Sequence, residues 1–437
     1  MKRLSTFFAA FFMLVSVSMA QQTDYWDGSV TPFSTDNNAG ESAENPIFIN
    51  SGAQLAYLAQ QVNDINAPNL YDGKFFKLTT DIDLDGNEWT PIGWHLTNAY
   101  NRHFGGSFDG NGHIISNLVI SKDILIPAAS GTGTSNISSY ALFGAVQGSE
   151  RGARYIKNLG IESGSIKGTG SVAAFVAWGA GVTIAQCYNK ASVDGTSYVG
   201  GIAAYCVSPS VDVINCYNMG AVKITANATS NRAVGGIMGQ TTTAWITNCY
   251  NFGDVSVNGS IPANTWGGIT GTFQTTRQPI NSYYATSSVA NGNSYGTAIT
   301  EANMLAPDFI LTINNDQDPV KWVADANMIN YGLPILNWEA NGITSVNRAE
   351  ADVNILGSAA PNPVTGISCI PVSMMVTGKV NLSLYNTFGQ LVALVYDGVL
   401  EAGNHVFTVN AADYQSGVYF CRLITVGGDK TQRIVIK

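Results

Sequence analysis

Gln186-Cys187-Tyr188-Asn189, Asn215-Cys216-Tyr217-Asn218 and Asn248-Cys249-Tyr250-Asn251 are three copies of one phrase, and Asn281-Ser282-Tyr283-Tyr284 is a worn fourth. A second phrase alternates with it: Val199-Gly200-Gly201-Ile202, Val234-Gly235-Gly236-Ile237-Met238-Gly239 and Trp266-Gly267-Gly268-Ile269-Thr270-Gly271. The cysteines of successive copies lie 29 and 33 positions apart, and Ser282 follows Cys249 by another 33. Self-similarity at this period means stacked units, each burying its apolar face against the next. Each unit is too long for one strand and lacks a helical period. It therefore reads as a coil of two or three short strands with Gly and Asn at the corners, stacked into a parallel β-solenoid. Asn at a fixed place in every coil can hydrogen-bond its copies above and below, which satisfies amides that are costly to bury alone.

Further towards the N terminus, Tyr140-Ala141-Leu142-Phe143-Gly144 and Val172-Ala173-Ala174-Phe175 look like earlier copies of the second phrase. Residues 128–139 look like a loop thrown out from the coil, and 225–232 and 258–265 are further loops able to carry recognition. Phe104 to His113 is too glycine-dense for anything but tight corners, and no helix pattern follows it, so it is not a phosphate-binding loop. Phe75 to Leu84 alternates as a strand. Leu55, Leu58, Ala59 and Val62 recur at helical spacing behind Ser51, a placed N-cap, with Gln54 able to complete a capping box. Residues 21–75 are thus expected to form a cap, with one short helix, over the open end of the stack. Residues 1–20 read as a secretory signal peptide: Lys2 and Arg3, the apolar run Phe7 to Val17, and the small-x-small end Ser18-Met19-Ala20. That run is too short to span a bilayer, and no later stretch is apolar for long enough.

Only 12% of the 437 residues are charged, and losing Lys2 and Arg3 with the signal takes the net charge from -9 to -11. An acidic, lightly charged surface argues against nucleic acid as a partner. Cys187, Cys216 and Cys249 occupy equivalent places, so they read as a ladder of small buried side chains pointing the same way. No CxxC pair or nearby His accompanies them.

From Asn354 the apolar residues come in short strand-like runs, such as Val380, Leu382, Leu384 and Ile434, Val435, Ile436, separated by turns. They predict a small antiparallel β-sandwich over 354–437, behind a polar linker at 340–353.

Two resemblances follow from these phrases. Val-Gly-Gly-Ile-x-Gly resembles the GLUG motif of bacterial surface proteins. The opening Leu78 to Leu84, Trp89-Thr90-Pro91-Ile92-Gly93 and Phe108-Asp109-Gly110-Asn111-Gly112, and the ending Tyr331 to Trp338, are similar to those framing such repeats in exported Bacteroidota proteins. This resemblance implies a right-handed β-helix over 76–339, an adhesin-like role and no catalytic motif. Pro361-Asn362-Pro363, Leu384 to Val392 with Gly389, Ala402-Gly403-Asn404-His405, Ser416-Gly417-Val418-Tyr419-Phe420 and the basic-apolar end with Lys430, Arg433 and Lys437 resemble the type A C-terminal sorting domain of the type IX secretion system, which is Ig-like. Arg433 stands where Lys is commoner. This second resemblance implies passage across the outer membrane, removal of the domain by a sortase-like protease, and surface attachment or release. Export would permit Cys369 and Cys421 to pair.

Chemistry is sparse. Four histidines exist, and neither a nucleophile-elbow phrase nor HExxH accompanies them. Asp194 and Asp254 share strand parity with each other and with Lys190 and Lys223, which makes them the acids to consider for sugar cleavage. Asp81, Asp83, Asp85 and Glu88 invite a calcium reading. An EF-hand fails, because the twelfth position from Asp81 is Ile92, so an irregular site or a solvated strand face remains. No cofactor is expected. Tyr188, Tyr217, Tyr250 and Tyr283 would form a ladder of rings. Outward, it offers a platform for sugar rings; inward, a packed column. The preferred reading is a non-catalytic exported β-helix that binds a glycan or a host or matrix protein. The alternative is a polysaccharide lyase or glycoside hydrolase.

Overall fold

The computed structural model describes residues 23–437 except 36–38, 68–69, 98–99, 122–123, 128–133, 228–230, 273–276, 290–291, 294, 343–354, 375–377, 388–389, 402 and 426–427. The signal segment 1–20, most of the linker and Gly389 lie outside the described residues.

Four parallel sheets run the length of the repeat, and every coil contributes a strand to each. One coil consists of Val182–Asn189, Ser192–Gly195, Tyr198–Gly200 and Ala203–Val207. The next coil splits its first strand into Asp212–Ile214 and Tyr217–Asn218, then adds Val222–Asn227, Ala233–Gly235 and Met238–Thr241. There are thus at least four strands per coil rather than two or three, because the Gly-Gly pair turns the chain sharply between two of them. Register is strict: Val199 pairs with Val234, and Tyr217 with Tyr250. Stacking in register places Ile184, Cys187, Val193, Val199 and Ile202 in one continuous apolar core with their copies above and below.

The residue before each ladder cysteine, and before Leu159 and Ser282 at the equivalent places, bends the chain. Asn158, Gln186, Asn215, Asn248 and Asn281 all have φ between 45° and 53°, a left-handed conformation in which Asn is among the best-tolerated non-glycine residues. The Asn two positions after each cysteine builds the expected ladder. Asn189 Nδ2 donates to Asn218 Oδ1 at 2.8 Å, and Asn218 Nδ2 to Asn251 Oδ1 at 2.8 Å, all fully buried. Gly201 and Gly236 lie against this column. A Cβ on Gly236 would sit 2.2 Å from Asn251 Cγ and 2.3 Å from the Gly268 carbonyl oxygen, so the repeated phrase needs glycine to let coils approach.

At the N-terminal end, Ser51 caps α1 (Gly52–Val62), accepting from the Gln54 N–H at 3.2 Å. Gln54 Oε1 reaches back to the Asn50 N–H, one residue beyond the Ser51 N–H of the expected box. The segment before α1 does more than lie across the stack: Thr23–Tyr25 adds a parallel strand beside Asp81–Asp83, and Ile47–Ile49 pairs with Phe75–Leu78.

The C-terminal region is two antiparallel sheets around a separate core. One holds Ile355–Leu356, Ile367–Met374 and Gly403–Asn410; the other holds Gly378–Asn386, Leu391–Leu400, Gly417–Thr425 and Gly428–Ile436.

Candidate ligand-binding face

The tyrosine column is buried, which corrects its assignment as a ligand platform. Tyr188 and Tyr217 stack at 4.9 Å, Tyr217 and Tyr250 at 5.0 Å, and none of the three reaches solvent appreciably. Alternation does hold: Cys187, Cys216 and Cys249 face the solenoid interior, and the tyrosines face away from it. The outer side is covered by the chain's own continuation, α2 (Glu301–Met304), α3 (Asp308–Asn314), the stretch through Trp322 and Leu333, and α4 (Asn337–Gly342). Trp338 stacks on Tyr188 at 5.7 Å, and Phe309 and Trp322 pack against Tyr250. Every hydroxyl finds a partner, Tyr188 on Glu162, Tyr217 on Glu339 and Tyr250 on the Pro334 carbonyl. Tyr283 is half-buried, its hydroxyl on Asn281 and its ring edge-on to Phe309.

The acids are not brought together either. Asp194 is in register with Lys223 and pairs with it at 3.4 Å. Asp254 lies two coils on and two residues along, about 12 Å away from strand spacing alone, against roughly 5–9.5 Å for a working carboxylate pair. Burial raises the Asp254 carboxyl, and Thr365 donates to it at 3.2 Å. Asp254 borders a cleft of about 350 Å³ with Lys190 and Tyr331, and among the described residues it is the only acid on that cleft's lining. Lys190 is already bonded to Glu162 at 2.8 Å.

Three of the four calcium candidates, Asp81, Asp83 and Glu88, hold the protein's own donors. Asp81 holds His113 Nδ1 and the Ile114 N–H at 3.0 Å each, and Asp83 accepts from the Asp85 N–H and Asn117. Glu88 holds Ser121. Among the described residues no three acidic, His or Cys groups converge as a metal site. All six cysteines are free and buried, including Cys369 and Cys421. The ladder thiols bond to backbone carbonyls, Cys249 to Thr247 at 3.2 Å.

What does lie open is a sheet face absent from the expectations above. Trp178, Tyr205, Gln240 and Thr272 stand in register on the sheet that follows the Gly-Gly-Ile corner, in line with the fully buried Ala145. Trp178 stacks with His95 at 4.7 Å and His103 at 4.8 Å, the two imidazoles lying side by side at 6.1 Å on one of its faces, and Tyr205 stacks with Tyr198 at 4.7 Å. All five rings are half-buried. Burial pulls both imidazoles down, His103 to about 4, so they are neutral at neutral pH. The signal was present in the sequence: each of these positions falls three residues after the apolar end of its phrase, Trp178 after Phe175 and Tyr205 after Ile202.

At the other end of the chain, Asn362 clamps the final strand, donating to the Arg433 carbonyl and accepting from the Val435 N–H, both at 2.8 Å. Gly417 pairs with Ile436 and Tyr419 with Ile434, so Pro361, Pro363, Lys430, Arg433 and Lys437 sit on or beside one sheet edge, while Gly403 opens the strand that pairs with Met374. Residues 358–437 match the secretion system C-terminal sorting domain. The sorting domain indicates export through the type IX system, to the cell surface or the extracellular space, and so an encounter with that machinery. No curated protein matches the chain. Among solved structures, a Bacteroides ovatus protein described as a "putative immunoglobulin A1 protease" is similar over 69% of this chain and 94% of its own, at a TM-score of 0.48 and 19% identity. No helix among the described residues is long and apolar enough to cross a membrane.

Proposed function

We propose that this chain is a non-catalytic binding protein whose stacked coils are exported by the sorting domain and meet their ligand outside the cell. The open row of Trp178 and Tyr205 carries this reading, set against acids that are each held by a neighbour. In this reading residues 1–20 are a signal peptide, 21–75 a cap, and 76–339 a GLUG-type right-handed β-helix. The linker 340–353 then joins the Ig-like sorting domain 354–437, which a sortase-like protease removes. The ligand is a glycan or a host or matrix protein.

The test incubates the full exported chain with neutral and acidic polysaccharides and with matrix proteins, scoring retention and new reducing or unsaturated ends together. Saturable retention without product is expected, unchanged in Asp194→Ala, Asp254→Ala. Product that disappears in that double variant would make the chain a polysaccharide lyase or hydrolase instead.

A further inference from the structure

Beside the row of Trp178 and Tyr205 the surface dips into a depression of about 230 Å³. One wall is the stacked pair His95 and Trp178 and the other the stacked pair Tyr198 and Tyr205, from neighbouring coils. The floor comes from the adjoining sheet, where Ser139 is in register with Ser171, and Ser197 precedes Tyr198. Its volume is below the roughly 300–1,000 Å³ that encloses a drug-sized molecule, so it suits one or two rings of a longer chain lying over the surface.

The chemistry of the lining is specific. The aromatic rings are fixed by stacking and present apolar area at little entropic cost, with π faces that attract the weakly positive C–H groups of a sugar ring. Around them are polar tips that the protein leaves unused. The indole N–H of Trp178, the hydroxyls of Tyr198 and Tyr205, and those of Ser171 and Ser197 have no hydrogen-bond partner among the described residues, whereas Ser139 and Ser138 are committed to the His95 backbone. Among the described residues no Asp, Glu, Lys or Arg lines the depression, and Arg232 acts on Tyr198 beside it. An acidic glycan would find no cation on the floor to neutralise it, and a basic peptide no carboxylate.

We infer that this depression is a subsite for a neutral glycan chain, with sugar rings laid on Trp178 and Tyr205 and their hydroxyls met by Ser171, Ser197 and the tyrosine hydroxyls. The inference rests on the binding reading above and adds the place and the class of ligand.

The experiment uses the full chain on affinity gels and calorimetry with five probes: mannan and galactan as neutral polysaccharides, polygalacturonate and chondroitin sulfate as acidic ones, and collagen as a matrix protein. Binding to at least one neutral probe is expected. It weakens about tenfold or more in Trp178→Ala, the loss of one stacked ring, and comparably in Tyr205→Ala. Because Trp178 also supports His95 and His103, Ser197→Gln serves as a second variant, filling the depression from its floor while leaving every ring in place; circular dichroism and thermal melting confirm its fold. Neutral binding that survives both Trp178→Ala and Ser197→Gln would overturn the site while leaving the binding reading intact. Retention by the acidic probes or by matrix protein alone would overturn the ligand class and leave that reading standing. Retention of none of the glycan or protein probes would remove both.

Discussion

Asn218→Ala is expected to lower the stability of the stacked coils by about 3–5 kcal/mol. Asn218 sits in the middle of the buried amide column. Its Nδ2 donates to Asn251 Oδ1 and to the Gly220 carbonyl, both at 2.8 Å, and its Oδ1 accepts from Asn189. Truncation strands three buried polar groups on three successive coils, each left without water to replace the lost partner. Asn189 keeps its bond to the Ala191 carbonyl, which moderates the loss on that side. Because each coil contacts chiefly its neighbours, damage in the middle divides the stack into two shorter halves. Urea unfolding followed by tryptophan fluorescence measures the change in midpoint, and hydrogen exchange locates it. A loss below about 1 kcal/mol would mean that the ladder is incidental to stacking.

The architecture was readable because the repeat states the same local instruction several times. Asn215 and Asn248 stand where the chain takes a left-handed bend, and Gly236 where no Cβ fits. Alternation from Cys to Tyr also told true, since the two do face opposite sides of the strand. What a strand pattern cannot tell is what covers its outer side. Residues 301–342 return over the tyrosines, a long-range event set by Phe309, Trp322 and Trp338, none of which belongs to the repeat. The open aromatic face went unread for a related reason. Trp178 and Tyr205 are followed in register by Gln240 and Thr272, so composition drifts along the row even though the position is constant. Their rings are completed by His95, His103 and Tyr198 from other strands, which only the three-dimensional coil brings alongside.

The covering segment is expected to hold less firmly as pH rises from about 4.5 to about 8, and Glu339→Gln to abolish that dependence. Glu339, on α4, is fully enclosed between the tyrosine column and Leu336, accepting from the Tyr217 hydroxyl at 2.8 Å and the Leu336 N–H at 2.7 Å. Burial raises its carboxyl from 4.5 to about 8 against the opposing pull of Lys190. In the unfolded chain the group ionises near 4.5, so between these two values the folded state holds a proton that the unfolded state has released. Stability then falls with increasing pH across that window and levels off above it. The full difference corresponds to at most about 5 kcal/mol at pH 8, the ionised form being carried by the same two donors. Gln keeps an acceptor for Leu336 and a polar partner for Tyr217 without the charge. Its melting temperature should therefore lack this fall and lie above that of the parent chain at pH 8, with the two converging near pH 4.5, since His95 and His103 contribute equally to both chains. Calorimetric melts of both chains from pH 4.5 to 8.5 decide it. Parallel curves would show that the proton on Glu339 plays no part, and that the segment is fastened by Phe309, Trp322 and Trp338 alone.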